Sequence, residues 1–263
     1  MPAAVPSQPI SKPTPTPTSS SSTSPSSTSL SSTSPSTSAN GPRGTRGTTG
    51  PDSLTGTGGA DLIFGLGGPD TIFGLGGDDS IYGDAGDDSI RGDAGNDCLF
   101  GGSGRDTALG SEGDDTIYGG KGADSQSGDN GNDLLFGNQD SDTLLGGAGN
   151  DTLFGGAGDD SLFGGIGDDC LSGDRGRDTL TGGTGNDTFA IGRLTDGDVI
   201  TDFTDGGDRI RLSAGLTFAE LTISAGTAGT SPSTIIQLTS TKETLATLFG
   251  IARISISQAD FIL

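Results

Sequence analysis

The residues with the clearest chemical capacity are aspartates, and their spacing is periodic. From Asp52 to Asp187 an acid stands at every ninth position: Asp52, Asp61, Asp70, Asp79, Asp88, Asp97, Asp106, Asp115, Asp124, Asp133, Asp142, Asp151, Asp160, Asp169, Asp178 and Asp187. Carboxylates in strict register are an array of hard oxygen donors, suited to hard dications rather than to metals that seek thiolate or imidazole. A Gly follows four residues after each Asp from Gly56 to Gly182, and another follows seven residues after, replaced once by Asp140. Two residues after each Asp stands an apolar side chain, such as Leu54, Ile63, Ile72, Ile81, Ile90 and Leu99, on to Leu180 and Phe189. Gln126 is the polar exception in that row and Ala108 the small one.

The elements that carry such an array follow from the period. Nine residues are too few for a helical hairpin, and so many glycines would destabilise a helix. A glycine-dense stretch of six reads as a turn, because Gly reaches backbone angles barred to other residues. The three residues that remain make one short strand, with the apolar side chain on one face and its neighbours on the other. Strand, turn, strand, turn then gives a coil of eighteen residues. The expected fold is all-β: a parallel β-roll, or two-sheet β-solenoid, whose apolar rows meet inside.

That core is thin. Each nonapeptide buries about one aliphatic side chain, about 1.5–3 kcal/mol, while ordering its backbone costs about 1–2 kcal/mol per residue. Turns of alternate repeats stack along one edge, about 4.8 Å apart, so their carboxylates repel unless a cation lies between them. Carboxylates together with turn carbonyls suit Ca²⁺.

Written from its glycines the unit is G-G-x-G-x-D-x-U-x, as in Gly155-Gly156-Ala157-Gly158-Asp159-Asp160-Ser161-Leu162-Phe163. It resembles the hemolysin-type (repeats-in-toxin) calcium-binding nonapeptide, and the resemblance covers about half the chain. The stretch Glu243-Thr-Leu-Ala-Thr-Leu248 and the ending are similar to those of cyanobacterial hemolysin-type calcium-binding proteins.

The repeats are uneven as ligand donors. The principal candidate ligands are Asp79, Asp88, Asp97, Asp106, Asp115, Asp124, Asp133, Asp142, Asp151, Asp160, Asp169, Asp178 and Asp187. A second oxygen-bearing residue directly precedes many of them: Asp78, Asp87, Asn96, Asp114, Asn132, Asn150, Asp159, Asp168 and Asn186. Arg105 and Arg177 take that place in two turns, and the first turns carry Ala60, Pro69, Leu66 and Leu75 instead. Calcium sites are therefore expected to be best between residues 76 and 190 and weakest at the start.

Composition narrows the function. The formal charge of −22 arises from residues 52–187, since the flanks cancel, and such a field opposes nucleic acid and anionic membranes. With no His in the chain, Ser-His-Asp triads, Cys-His pairs and His-rich zinc sites are unavailable. No segment has the roughly 18–20 apolar residues of a membrane span. Cys98 and Cys170 lie four coils apart in this scheme, too far for a disulfide.

Three regions are expected. Residues 1–51 form a disordered Ser/Thr/Pro-rich segment and Gly linker, without a secretory signal's basic and apolar regions. Residues 52–190 form the calcium-binding roll. Residues 191–263 form a small β-rich C-terminal cap, in which Phe189 to Leu212 covers the open end of the ladder and Leu221–Ile223, Ile235–Leu238 and Leu245–Leu248 are strands. The last residues, Asp260-Phe261-Ile262-Leu263, resemble the uncleaved C-terminal export signal of type I secretion substrates.

Two sheet faces differ outside. One carries an all-hydroxyl row from Ser53 to Thr179; the other stacks Phe64, Tyr82, Phe100, Tyr118, Phe136 and Phe154. Plain strand packing explains the aromatics, and a docking face is the alternative. Together these features point to a secreted, extracellular, non-enzymatic protein that folds on multiple Ca²⁺ ions and has a type I exporter as a possible partner. A calcium-dependent adhesin or matrix component is the alternative. A repeat-bearing enzyme would need a catalytic domain that no segment here supplies.

Overall fold

The structure is a computed structural model, and it describes residues 44–193, 196–213, 215–228, 231–250 and 256–262. The chain divides into Met1–Ser38 and Ala39–Leu263; the Ser/Thr/Pro tract lies outside the described residues.

Short strands β1 (Thr45–Arg46), β2 (Ser53–Thr55) and β3 (Leu62–Phe64) open the stack. Strands of six residues follow: β4 (Thr71–Gly76), β5 (Ser80–Ala85), β6 (Ser89–Ala94), β7 (Cys98–Ser103), β8 (Thr107–Glu112), β9 (Thr116–Lys121) and β10 (Ser125–Asn130). The same run continues through β11 (Leu134–Gln139), β12 (Thr143–Ala148), β13 (Thr152–Ala157), β14 (Ser161–Ile166), β15 (Cys170–Arg175) and β16 (Thr179–Thr184). Then come β17 (Thr188–Ile191), β18 (Asp198–Ile200), β19 (Arg209–Leu212), β20 (Leu221–Ala228), β21 (Ser231–Leu238), β22 (Thr244–Phe249) and β23 (Phe261–Ile262).

Odd strands from β1 to β19, then β23, form one parallel sheet. Even strands from β2 to β18, then β22, β21 and β20, form the other. Partners are offset by eighteen residues through the repeats, as in Ser80↔Cys98 and Cys98↔Thr116. The architecture is the parallel two-sheet β-roll expected from the period.

The strands are twice the expected length. The period leaves three residues for each strand and six for each turn, but the first glycines of the unit stay in the ladder. Asp84 pairs with Gly102 and Ala85 with Ser103 in the same register as Ser80 with Cys98. Extending the strand gives these backbone groups ladder partners, which a six-residue loop would leave unpaired.

Inside, Ile63, Ile81, Leu99, Ile117, Leu135, Leu153, Leu171 and Phe189 face Ile72, Ile90, Leu144, Leu162 and Leu180, all fully buried. Gln126 is buried as well, beside Ala108 and Leu144 in register. Its Nε2 donates to the Phe136 carbonyl at 2.8 Å, while Oε1 has no partner. Outside, Phe64, Tyr82, Phe100, Tyr118, Phe136 and Phe154 stack with centroids 4.5–5.2 Å apart. Each ring face covers the next, so solvent meets mainly ring edges. Cys98 and Cys170 are free thiols.

The expected cover, Phe189 to Leu212, instead continues the roll. Ile200 and Ile210 are buried in line with Leu180 and Phe189, to which they pair. These residues keep the acid–x–apolar order of a repeat, so they form rungs and not a lid. The apolar end is closed later, by Leu216, Ile236, Leu238, Leu245 and Leu248. Here β20, β21 and β22 run antiparallel, and β22 joins the roll through β18. Near the end, Asp260 accepts from the Ser257 N–H at 2.7 Å, and Phe261 pairs with Ile210. Leu263 lies outside the described residues.

Candidate metal centre

Each repeating Asp sits where a turn re-enters a strand, and that placement fixes one of its oxygens. Oδ1 of Asp97 accepts the Asp79 N–H at 2.7 Å, and Oδ1 of Asp115 accepts the Asp97 N–H at 2.8 Å. The same bond links Asp88 to Asp106, Asp106 to Asp124 and Asp124 to Asp142. It also links Asp133 to Asp151, Asp160 to Asp178 and Asp169 to Asp187. One carboxylate column therefore runs along each edge of the roll. All of these side chains are almost wholly buried.

The second oxygen is the unusual one. Oδ2 of Asp70, Asp79, Asp88, Asp97, Asp106, Asp115, Asp124, Asp133, Asp142, Asp151, Asp160, Asp169, Asp178 and Asp198 is buried without a hydrogen-bond partner. An orphaned buried acceptor costs about 1–3 kcal/mol, more when charged. Burial pushes these acids upward, to about 8 for Asp142, about 7 for Asp106, Asp115 and Asp169, and about 6 for Asp79 and Asp160. The backbone N–H on Oδ1 opposes the rise, and neighbouring acids add to it, as Asp124 and Asp160 do for Asp142.

Glycine at the head of the unit makes room for this oxygen. A Cβ on Gly101 would lie 2.6 Å from Asp106 Oδ2 and 2.6 Å from the Gly119 carbonyl oxygen. A carboxylate oxygen and a carbonyl oxygen of the next coil thus converge beside a bare Cα. Among the described residues no three His, Cys, Asp or Glu side chains gather at one point. The donor set is therefore carboxylate plus backbone carbonyl, which fits a hard, flexible cation such as Ca²⁺. The buried Asp residues from Asp70 onward would hold it.

The second row of candidates lies elsewhere. Asp78, Asp87, Asn96, Asp114, Asn132, Asn150, Asp159, Asp168 and Asn186 are exposed. Except for Asn186, their side chains accept backbone N–H groups of the following coil: Asn96 N–H to Asp78, Asp114 N–H to Asn96, Asn132 N–H to Asp114 and Asn150 N–H to Asn132. Asp168 bonds likewise to Asn150 and Asn186 to Asp168, while the Arg105 and Arg177 amides bond to Asp87 and Asp159. This outer ladder runs opposite in sense to the inner one, whose carboxylates accept from the preceding coil. It stitches turn to turn with one oxygen of each side chain.

Among the described turns of the roll, three are closed without an orphan. Thr48 donates its N–H to Asp52 Oδ2 at 2.6 Å and its hydroxyl at 2.9 Å. Thr57 does the same for Asp61, at 2.6 and 2.9 Å, and Thr204 N–H reaches Asp208 Oδ2 at 2.7 Å. In the repeat turns from Leu66 onward the residue at this place has positive φ, including Leu66 and Leu75 at 81° and Asp84 at 73°. Thr is β-branched and avoids that region. Its presence selects the closed turn.

The nine-residue count includes Asp70 but not Asp198 or Asp208, and Asp70 is absent from the principal ligand candidates. Leu66 and Pro69 beside Asp70 offer no extra side-chain oxygen, yet its Oδ2 is open like the rest. Asp198 and Asp208 fall off the beat but accept the Asp178 and Asp187 N–H groups at 3.1 and 2.9 Å. The readable signal was Asp-Val-Ile200 and Asp-Arg-Ile210, the acid–x–apolar triplet of every repeat.

Against known families, the chain matches the RTX calcium-binding nonapeptide repeat (4 copies) over residues 46–72, 64–99, 73–108, 100–135, 136–171 and 163–193. No curated protein matches it significantly. Among solved structures it is similar to the AlgE6R3 subunit from the Azotobacter vinelandii mannuronan C5-epimerase, 29% identical over 47% of this chain and 78% of that one, TM-score 0.38. It is also similar to the extracellular lipase LipA from Serratia marcescens, 18% identical over 82% of this chain and 40% of that one, TM-score 0.29.

Proposed function

Because the chain belongs to the RTX calcium-binding nonapeptide repeat family, we propose that its calcium sites lie along the two buried Asp columns and that calcium binding drives formation of the roll. The observation that carries this reading is the series of partnerless Oδ2 atoms from Asp70 to Asp198. Without a cation each is a buried acceptor with nothing to accept, repelled by the acids one coil away. With one, the same oxygens and the turn carbonyls become ligands, and metal-binding free energy becomes folding free energy. Because each coil contacts mainly its neighbours, filling should be cooperative along the roll.

Such a protein is unfolded where calcium is scarce and folds in the millimolar calcium typical of extracellular sites. That behaviour suits export in an unfolded state, and secretion to the extracellular space, through a type I exporter, is part of the proposal. The ending Asp260 to Leu263 supports it by composition, although Asp260 and Phe261 are also bonded into the fold. We assign the chain no catalytic role: it has no His, and nearly all of its buried carboxylates stand in the two columns.

Circular dichroism of the full chain tests the central claim. The expected result is little β-signal in excess chelator, a full β-signal in millimolar Ca²⁺ and a weak response to Mg²⁺, which demands tighter octahedral geometry. A full β-signal in chelator would overturn it.

A further inference from the structure

The inner row of the second sheet loses its aliphatic side chains at two successive rungs. Ile72 and Ile90 lead to Ala108 on β8 and Gln126 on β10, after which Leu144 and Leu162 resume the row. Ala108 and Gln126 are only 2% and 1% exposed, so both stand fully in the core. Ala fills less of that space than the Ile and Leu on either side. Gln126 brings Oε1 into it, a buried acceptor with no partner.

Other departures fall in the same two coils. Ser111 Oγ, also on β8, is buried without a partner. The Phe136 carbonyl takes Gln126 Nε2 at 2.8 Å and Asn138 Nδ2 at 3.2 Å, so two side-chain amides crowd one acceptor. The turn bond from the Gly122 N–H to the Gln139 carbonyl is stretched to 3.3 Å, against 2.8 Å at Gly86 and 2.9 Å at Gly104 and Gly158. Asp140, the break in the glycine row, follows directly. The carboxylate columns pass through intact: the Asp106, Asp115 and Asp124 N–H groups each bond the acid one coil on at 2.8 Å. The defect belongs to the core and the ladder.

In a stack whose coils contact mainly their neighbours, stability is a sum of neighbour terms, and the stack divides where those terms are smallest. We propose that residues 107–142 are a built-in fault line, at which the roll opens into two separately cooperative blocks, residues 53–103 and residues 143–191. The middle coils open while both blocks stay folded, which makes them the first part of the roll to expose its backbone. This division does not depend on what calcium does, because its causes lie in the side chains of the folded core.

The test is native-state hydrogen exchange on the full chain over a range of urea. It is made in saturating Ca²⁺, where the roll is folded whether or not calcium drives its formation. Residues 107–142 should exchange about tenfold faster than residues 71–103 and 152–191, the size of effect expected of a few unmet core groups. The two flanking blocks should then lose protection at separate urea midpoints. Ala108→Leu combined with Gln126→Leu restores the aliphatic row; it should slow the middle by about tenfold and merge the blocks into one transition. Leu162→Ala should create a second fast segment around β14, because a small residue is placed in the same row. Uniform protection from residue 71 to residue 191 in the wild type would overturn the proposal, as would a fastest segment elsewhere in that range. A double variant that folds but leaves the middle as fast as before would overturn it too. Should the double variant not fold, Gln126→Leu alone decides: slower exchange at residues 107–142 upholds the fault line, and unchanged or faster exchange there refutes it.

Discussion

The turns at Asp61 and Asp88 use the same acid to solve the same problem in two ways. At Asp61, Thr57 supplies an N–H and a hydroxyl to Oδ2, and neither Thr57 nor Gly59 has positive φ. At Asp88, the corresponding Asp84 and Gly86 have φ of 73° and 136°, the chain turns away, and Oδ2 is left bare. One turn closes on itself with hydrogen bonds and needs nothing else. The other stores an unmet demand that a cation can satisfy. Closed turns stand at Asp52, Asp61 and Asp208, near the two ends of the parallel stack; open ones fill the middle. On the proposed function, calcium dependence would be a property of the backbone path in each turn, set by whether its second residue adopts a left-handed conformation.

The largest expected effect comes from exchanging the path. Gly86 has φ of 136°, and an added Cβ would run into the Gly68 carbonyl group of the preceding coil. Its counterpart Gly59 has open space where a Cβ would sit. Gly86→Ala should cost about 3 kcal/mol or more and prevent local folding at any calcium level, while Gly59→Ala stays within about 0.5 kcal/mol. Calcium titrations followed by circular dichroism compare them; equal midpoints for the two variants would remove the distinction between turn types.

Acid provides the next test. The open-turn acids hold protons more tightly folded than unfolded, since burial raises them from 3.8 to about 6 at Asp133 and about 8 at Asp142. A raised folded value favours the folded chain at low pH: the advantage is complete below the unfolded value and is lost as pH rises through the folded ones. In chelator the chain should therefore gain β-structure as pH falls from about 8 towards 4. Structure that instead declines steadily with acid would mean the columns are hydrated and ionised without metal.

Much of this was legible in the chain. A nine-residue beat with one apolar position gave the coil, the two sheets and the inward row, because those depend only on period and polarity. Asp spacing gave the columns for the same reason. What escaped depended on backbone angle or on broken rhythm. Thr57 looks like any polar turn residue until its β-branching is set against the positive φ of Leu66 and Asp84. Asp198 and Asp208 hide behind coils lengthened by a few residues. The outer row, Asp78 to Asn186, offers oxygens that counting cannot distinguish from ligands; only the amide donated by the next coil reveals their use.

Opening a closed turn should have a moderate effect. Thr57→Gly removes the hydroxyl donor and permits positive φ, which would free Asp61 Oδ2. At the lowest Ca²⁺ that folds the chain it should lower the apparent stability of the first coils by about 1 kcal/mol, the worth of a hydrogen bond. In excess Ca²⁺ part of the loss should return, because the turn can then bind like its neighbours. Hydrogen exchange at residues 53–64 at limiting and at saturating Ca²⁺ measures this, and a loss equal in both conditions would show that Asp61 has gained no site.

The smallest expected effect lies in the core, away from the turns. Gln126 replaces an aliphatic residue in the inward row; its Nε2 bonds the Phe136 carbonyl and its Oε1 has no partner. Gln126→Leu gives up a bond worth about 0.5–1.5 kcal/mol and removes an orphan that costs about 1–3 kcal/mol. Leu is also shorter, and Ala108 in the adjacent strand leaves little to fill the space, so part of the gain is lost to poorer packing. The balance is a stabilisation of at most about 1 kcal/mol, seen as a small fall in the calcium midpoint with an unchanged number of bound ions. A change in ion number would mean that the core and the turns are coupled at this coil. A rise in the midpoint would show that the bond to Phe136 outweighs the orphan, making Gln126 a satisfied core residue and not a weak point in the ladder.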